Sequence, residues 1–144
     1  VAAMSDLENQ AAVIDSLILC KFVRRALSDV YAEGAEMLTA ICGEPFAADD
    51  LREAGRAIHD LKKLFNQRQG WHVDEDTLPA RFLRAADTLP VPQPAAGTTP
   101  DEAPRIDAAA FAAARAEYYR LRGWSAEGRW QPDAELLTSL RRAG

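Results

Sequence analysis

The strongest constraint on the fold is the spacing of apolar residues between positions 51 and 65. Apolar side chains recur there every three or four residues, which is the period of an amphipathic α-helix. They are Leu51, Ala54, Ile58, Leu61 and Phe65. Four charged residues fall between them and are expected on the solvent side: Arg52, Arg56, Asp60 and Lys63. Asp50 and Glu53 have the spacing of a capping box at the start of this helix, and Gly70 is expected to end it.

The rest of the chain also has helical patterns, and no segment shows a convincing strand. We expect one or two helices over residues 6–27 and another over 29–41, stopped by Gly43. An alanine-rich helix is expected to begin at Asp107 and end at Gly123, with shorter helices at 81–86 and 132–142. The predicted fold is therefore all-α, an irregular helical domain.

A proline-rich segment divides the helical regions. Residues 88–104 contain five of the chain's eight prolines, a composition typical of an extended linker. The predicted organisation is a first helical region at 1–87, a linker at 88–105 and C-terminal helices of the same domain at 106–144.

Composition excludes several classes of function. A length of 144 residues suits one modest domain. The net charge of −5 argues against a nucleic-acid partner, and no apolar run approaches the roughly 20 residues of a membrane span. The two cysteines do not resemble a disulfide framework, so a reducing, cytoplasmic setting is expected.

The apolar run from Val13 to Val23 contains a carboxylate, Asp15, and a thiol, Cys20. Asp15 suits a helix N-cap, or it could accept two parallel N–H bonds from a guanidine-like edge such as that of a pterin. Cys20 is either a buried small hydrophobe or a ligand for a soft metal. Cys42 is interpreted as a residue with only a packing role. Because the chain has no CxxC pair, it could not complete a metal site at Cys20 alone.

Two further segments are given structural roles. The acidic run at 74–76 is interpreted as a solvated loop, since it lacks the ligand spacing of a calcium loop. The aromatic and basic run from Tyr118 to Trp124 is interpreted as a docking helix whose rings pack against a larger core.

Four segments together resemble the tungsten-containing aldehyde:ferredoxin oxidoreductase family. Each is similar to a family motif, and they occur in the family's order. They are Leu7–Phe22, with Asp15-Ser16-Leu17-Ile18-Leu19-Cys20; Gly55–Trp71, with Phe65-Asn66-Gln67-Arg68-Gln69-Gly70; Asp76–Phe82; and Tyr118–Trp124 followed by Gly128. One departure is Ile18, which stands where the family often has glycine.

The resemblance implies that the chain is the C-terminal domain of such an enzyme. Asp15 and the backbone of Leu19 would then contact a pterin of the tungsten (or molybdenum) cofactor. Cys20 would be the fourth thiolate of a [4Fe-4S] cluster, whose other three ligands lie in an earlier part of the enzyme. The family oxidises aldehydes to carboxylic acids. The implied partners are the missing N-terminal domains, a small aldehyde, and ferredoxin or an electron-transfer subunit.

A second hypothesis is a stand-alone, non-catalytic helical interaction module derived from that domain. Asp15 and Cys20 separate the two hypotheses, because a module without cofactors has no reason to keep either residue.

Overall fold

The computed structural model describes residues 1–22, 26–79, 82 and 106–134. Within these described residues, the fold consists of four α-helices. The helices are α1 (Ala2–Ser16), α2 (Val30–Cys42), α3 (Ala48–Arg68) and α4 (Ala108–Arg122), with a 3₁₀ turn at Val73–Glu75. These ranges contain no strand, which confirms the predicted all-α class. No helix in them is long and apolar enough to span a bilayer. The predicted linker at 88–105, and most of the predicted helices at 81–86 and 132–142, lie outside the described residues.

The helices with clear boundary signals form as predicted. The carboxylate of Asp29 caps α2 by accepting bonds from the backbone N–H groups of Tyr31 and Ala32, and α2 ends at Gly43 in the left-handed conformation. Asp107 caps α4 in the same way, and α4 also ends at a left-handed glycine, Gly123. An Asp N-cap and a glycine just past the last turn satisfy backbone groups that the helix itself leaves unpaired.

Two helix boundaries differ from the prediction. The first helix begins at Ala2 and ends at Ser16, so the expected helical continuation to residue 27 is wrong. The third helix begins before Asp50, and the Asp50 carboxylate accepts a bond from the N–H of Ala47 at 2.7 Å. Asp50 therefore satisfies the backbone from inside the first turn and is not the N-cap of a box with Glu53.

The buried face of α3 is also rotated from the predicted stripe. Of the five apolar residues in that stripe, only Leu51 is buried, while Phe65 is 62% exposed. The buried positions on this helix include Gly55, Asp60 and Lys63. The prediction fails because α1 packs close to Gly55, and because Asp60 and Lys63 find bonding partners that allow their burial.

The apolar core lies where α1, α2 and α3 meet. Its buried members are Val13, Ile14, Val30, Tyr31, Ala35 and Leu51. The hydroxyl of Tyr31 reaches out of this core and donates a hydrogen bond to Asp6 at 2.8 Å. The apolar part of the ring is thus buried while its one polar group is satisfied.

The crossing of α1 and α3 is the closest helix contact in the core. A Cβ atom placed on Gly55 would lie 2.7 Å from the backbone carbonyl oxygen of Asn9. A side chain cannot fit there unless one of the two helices moves, because the obstacle is main chain.

We therefore expect Gly55→Ala to lower the free energy of unfolding, although alanine favours a helix over glycine by about 1 kcal/mol. Overpacking of this kind costs about 1–3 kcal/mol, so the net loss should be up to about 2 kcal/mol. Urea unfolding followed by circular dichroism measures it. Gly34→Ala is the matched control, because its added Cβ would meet only the flexible ends of Leu51 and Leu17. Equal stabilities for the two variants would contradict the interpretation.

Candidate functional site

The segment from Asp15 to Cys20 is built around a specific helix ending. The N–H of Ile18 donates to the carbonyl of Asp15 at 3.2 Å, and the N–H of Leu19 donates to the carbonyl of Ile14 at 3.0 Å. With Leu17 as the C-cap, these two bonds form a Schellman motif. The motif fixes Asp15, in the last turn of α1, relative to the residues that follow the helix.

The motif requires a left-handed backbone at Ile18, which has φ of 57°. Glycine or asparagine usually occupies this position. The left-handed conformation costs an L-residue roughly 1–2 kcal/mol, and a β-branched side chain is rarely found there. Because isoleucine stands where a glycine would mark the end of the helix, the sequence predicts that the helix continues.

The capping loop, which we define as residues 17–22, has side chains that alternate between the core and the solvent at residues 17–20 and are exposed at 21 and 22. Leu17 and Leu19 are partly buried and pack against the core. Ile18 and Phe22 are each 91% exposed, and Cys20 is exposed as a free thiol. The two leucines therefore anchor the loop, and the thiol lies on its outer side.

Asp15 is not a helix N-cap, and that interpretation was wrong because the residue lies at the C-terminal end of α1. Its exposed carboxylate forms an ion pair with the Lys21 ammonium at 3.7 Å. Exposed ion pairs of this kind contribute about 0–1 kcal/mol. The carboxylate oxygens are thus able to exchange this pair for a stronger set of donors.

The interpretation of both cysteines as buried packing residues is also wrong, since Cys20 and Cys42 are exposed. Among the described residues, no group of three or more Cys, His, Asp or Glu side chains is arranged to hold a metal ion.

A polar cluster that the sequence analysis missed centres on Asp76. Its carboxylate accepts bonds from the ammonium of Lys63 at 3.0 Å, the indole N–H of Trp71 at 3.0 Å and the hydroxyl of Tyr119 at 2.7 Å. The Lys63 ammonium also lies 3.0 Å from the centre of the Trp71 ring, a cation–π contact. The acidic run is thus not simply a solvated loop, because Asp76 joins α3 to α4.

The charges in this Asp76 cluster shift its pKa values in opposing ways. Burial alone would raise the pKa of Asp76, but the three donated bonds outweigh it and lower that pKa overall. Burial also lowers the pKa of Lys63, although the Asp76 carboxylate acts against this. Within the pair, each group therefore favours the charged form of the other.

A second polar cluster joins α4 to α1 through Arg122, whose side chain is only 2% exposed. Its guanidinium donates to Glu8 at 2.9 Å and to the side-chain oxygen of Asn9 at 2.6 Å. The hydroxyl of Tyr118 donates to the same Glu8 carboxylate at 2.6 Å. Burial, together with that hydrogen bond, raises the pKa of Tyr118 to about 12. The expected docking role of the segment from Tyr118 to Trp124 is thus seen within this chain.

A groove of about 720 Å³ runs between α3, residues 71–77 and α4. Its wall includes Lys63, Asp76 and Tyr119. Lys63 and Tyr119 each donate a hydrogen bond to Asp76, so all three already have partners within the fold.

Comparison with known proteins identifies the family. The family model for aldehyde ferredoxin oxidoreductase, domains 2 and 3, matches residues 1–140. The chain belongs to the aldehyde ferredoxin oxidoreductase family. The resemblance noted in the sequence is therefore confirmed.

Several tungsten-containing aldehyde ferredoxin oxidoreductases are similar to this member of the family. The protein from Pyrococcus horikoshii is 35% identical over 124 residues, and that from Pyrococcus furiosus is 33% identical over 128 residues. The protein from Thermococcus kodakarensis is 32% identical over 124 residues. Each comparison covers 85% of this chain and 18% of the relative. No solved structure matches the chain significantly.

The structure gives a physical reason for two of the family-like motifs in this chain. Asp76 and Tyr119 bond to each other, and the indole N–H of Trp124 donates to the buried Asp60 at 2.7 Å. A Cβ atom on Gly128 would lie 2.5 Å from the ring of Tyr119, so that position must lack a side chain. These motif residues hold the helices together.

We expect Asp76→Asn to lower the free energy of unfolding near pH 7 by on the order of 3 kcal/mol, because it leaves the Lys63 charge buried without a counter-ion. The native pKa of Asp76 lies below its ordinary value of 3.8. Its contribution is thus complete above about pH 3.8 and is lost as the pH falls through the native pKa. The variant should therefore show a shallower loss of stability in acid.

Urea unfolding at a series of pH values tests this expectation. Asp74→Asn is the matched control, because its carboxylate is 87% exposed and pairs with His72. A similar loss in both variants would contradict a specific role for Asp76.

Proposed function

We propose that this chain is the part of a tungsten-pterin, iron–sulfur aldehyde oxidoreductase that supplies one cluster thiolate and the pterin contacts. Cys20 would be the fourth thiolate of a [4Fe-4S] cluster. Asp15 and the backbone of Leu19 would lie against a pterin of the tungsten (or molybdenum) cofactor. The observation that supports this most is that one Schellman motif links Asp15, in the last turn of α1, to the exposed loop that carries Cys20 directly after it.

The chemistry of Cys20 fits a cluster ligand. Iron–sulfur clusters of this type are held by four cysteine thiolates, and the Cys20 thiol is exposed and free of a disulfide. Leu17 and Leu19, which both precede Cys20, anchor the start of the loop to the core. The sulfur is thus presented by a fixed loop toward ligands that must come from elsewhere in the enzyme.

The chemistry of Asp15 fits recognition of a pterin. A carboxylate accepts two parallel N–H bonds well, and the aminopyrimidinone edge of a pterin offers such a pair. The Asp15 side chain is half exposed, with only a long ion pair to Lys21 to give up. The Leu19 backbone follows at a distance set by the helix ending, so one segment could contact both groups.

The overall reaction proposed for the complete enzyme is RCHO + H₂O → RCOOH + 2H⁺ + 2e⁻. When bound, the metal–pterin group would supply the two-electron oxidation, and the cluster held in part by Cys20 would supply the electron route to ferredoxin or an electron-transfer subunit. Within this chain, the residues of the capping loop hold the two sites at a fixed separation. No described residue is assigned as a general acid or base.

The names of the relatives support this proposal. Four of them are described as tungsten-containing aldehyde ferredoxin oxidoreductases. Since the chain spans 18% of their length, the activity, the substrate and the electron acceptor are proposed for the whole enzyme and not for this segment alone.

We expect Cys20→Ala in the complete enzyme, purified without oxygen, to lose iron and the electron paramagnetic resonance signal of the reduced cluster. A cluster with three protein thiolates is held less firmly, because one iron has no protein ligand. Cys42→Ala is the matched control, since it also removes one exposed cysteine. Unchanged iron and an unchanged signal in Cys20→Ala would refute the assignment and favour a non-catalytic interaction module.

Asp15→Leu tests the pterin contact separately. Loss of the hydrogen-bond acceptor should reduce the tungsten and pterin content, while the iron content is retained. Glu36→Gln removes an exposed carboxylate from α2 and should change neither. Full pterin content in Asp15→Leu would show that this carboxylate does not bind the cofactor.

A further inference from the structure

We infer that the side chain of Ile18 excludes water from the cluster bound at Cys20 and thereby lowers its reduction potential. This inference rests on the proposed cluster ligation by Cys20. It assigns a role to a residue that the hydrogen bonds of the capping loop do not themselves require.

The first argument is the unusual backbone of Ile18. Its φ of 57° places a β-branched residue in the left-handed region. The two bonds of the helix ending involve only main-chain atoms, so glycine would form them without strain. Retention of isoleucine therefore needs an explanation in its side chain.

The second argument is that this side chain gains little within the chain itself. It is 91% exposed, whereas Leu17 and Leu19 on either side pack against the core. Burial of apolar area is what an aliphatic side chain contributes to folding. The compensating contact for Ile18 must therefore form in the complete enzyme.

The third argument is the side of the loop on which Ile18 lies. Leu17 and Leu19 pack against the core, whereas Ile18, Cys20, Lys21 and Phe22 are all exposed. An aliphatic side chain two residues before the thiol, and an aromatic one two residues after it, would flank the sulfur where a cluster attaches. Both would displace water from that position.

The expected effect on potential follows from charge. A [4Fe-4S] cluster with four thiolates is an anion that becomes more negative on reduction. Excluding water disfavours the more highly charged state, and solvent exposure is a known determinant of cluster potentials. Loss of the Ile18 side chain should therefore raise the reduction potential.

The test is a redox titration of the complete enzyme, kept free of oxygen and monitored by electron paramagnetic resonance. Ile18→Gly and Ile18→Asn keep a left-handed backbone but remove the apolar side chain, so both should shift the midpoint potential upward. Ile18→Leu keeps an apolar side chain of the same size and should leave it unchanged. Leu7→Gln, which alters another exposed apolar residue of α1, is the second control. Iron content should stay the same in all four variants.

The outcomes separate this inference from the proposed function. If Cys20→Ala loses its iron but Ile18→Gly and Ile18→Asn keep the original potential, the shielding role is refuted and the ligand assignment stands. Loss of iron from Ile18→Gly would also refute it, because residue 18 would then set the loop conformation. If Cys20→Ala keeps its iron, both proposals fail.

Discussion

The close crossing of α1 over α3 at Gly55 is the constraint on which the rest of this domain depends. With a main-chain oxygen 2.7 Å from the position of an added Cβ, the axis of α1 is set by the backbone of α3. Helix α1 also carries core residues in its second half and is followed directly by the capping loop. The placement of Asp15 and Cys20 is therefore determined by a packing contact several turns away from them.

Two polar clusters extend this constraint to the C-terminal helix. Arg122 bonds to Glu8 and Asn9 of α1, while Asp76 bonds to Lys63 of α3 and Tyr119 of α4. Burying these charges is costly unless each is paired and hydrogen-bonded, and each has several partners. Such networks are specific in direction, so they fix the angle of α4 where apolar packing alone would allow sliding.

The sequence predicted best those features that are local and chemically explicit. The start of the last helix at Asp107, and the glycines that end α2 and α4, were predicted correctly because each acts through the backbone next to it. The end of α1 was missed because Ile18 occupies a position where the usual glycine signal is absent. The buried face of α3 was missed because burial of Asp60 and Lys63 depends on partners 64 and 13 residues away. No periodicity within one helix contains that information.

The candidate site could be predicted only through resemblance, for a related physical reason. A thiol and a carboxylate in an apolar run have several ordinary explanations, and both of the structural ones were wrong here. One thiolate cannot hold a cluster, so a shared site has meaning only if the thiolate is presented at a fixed position to ligands from another part of the enzyme. The architecture matches that requirement. Three packed helices form the core, and α1 ends at the left-handed residue Ile18. Leu17 and Leu19 then anchor the loop to this core, while Cys20 stays exposed.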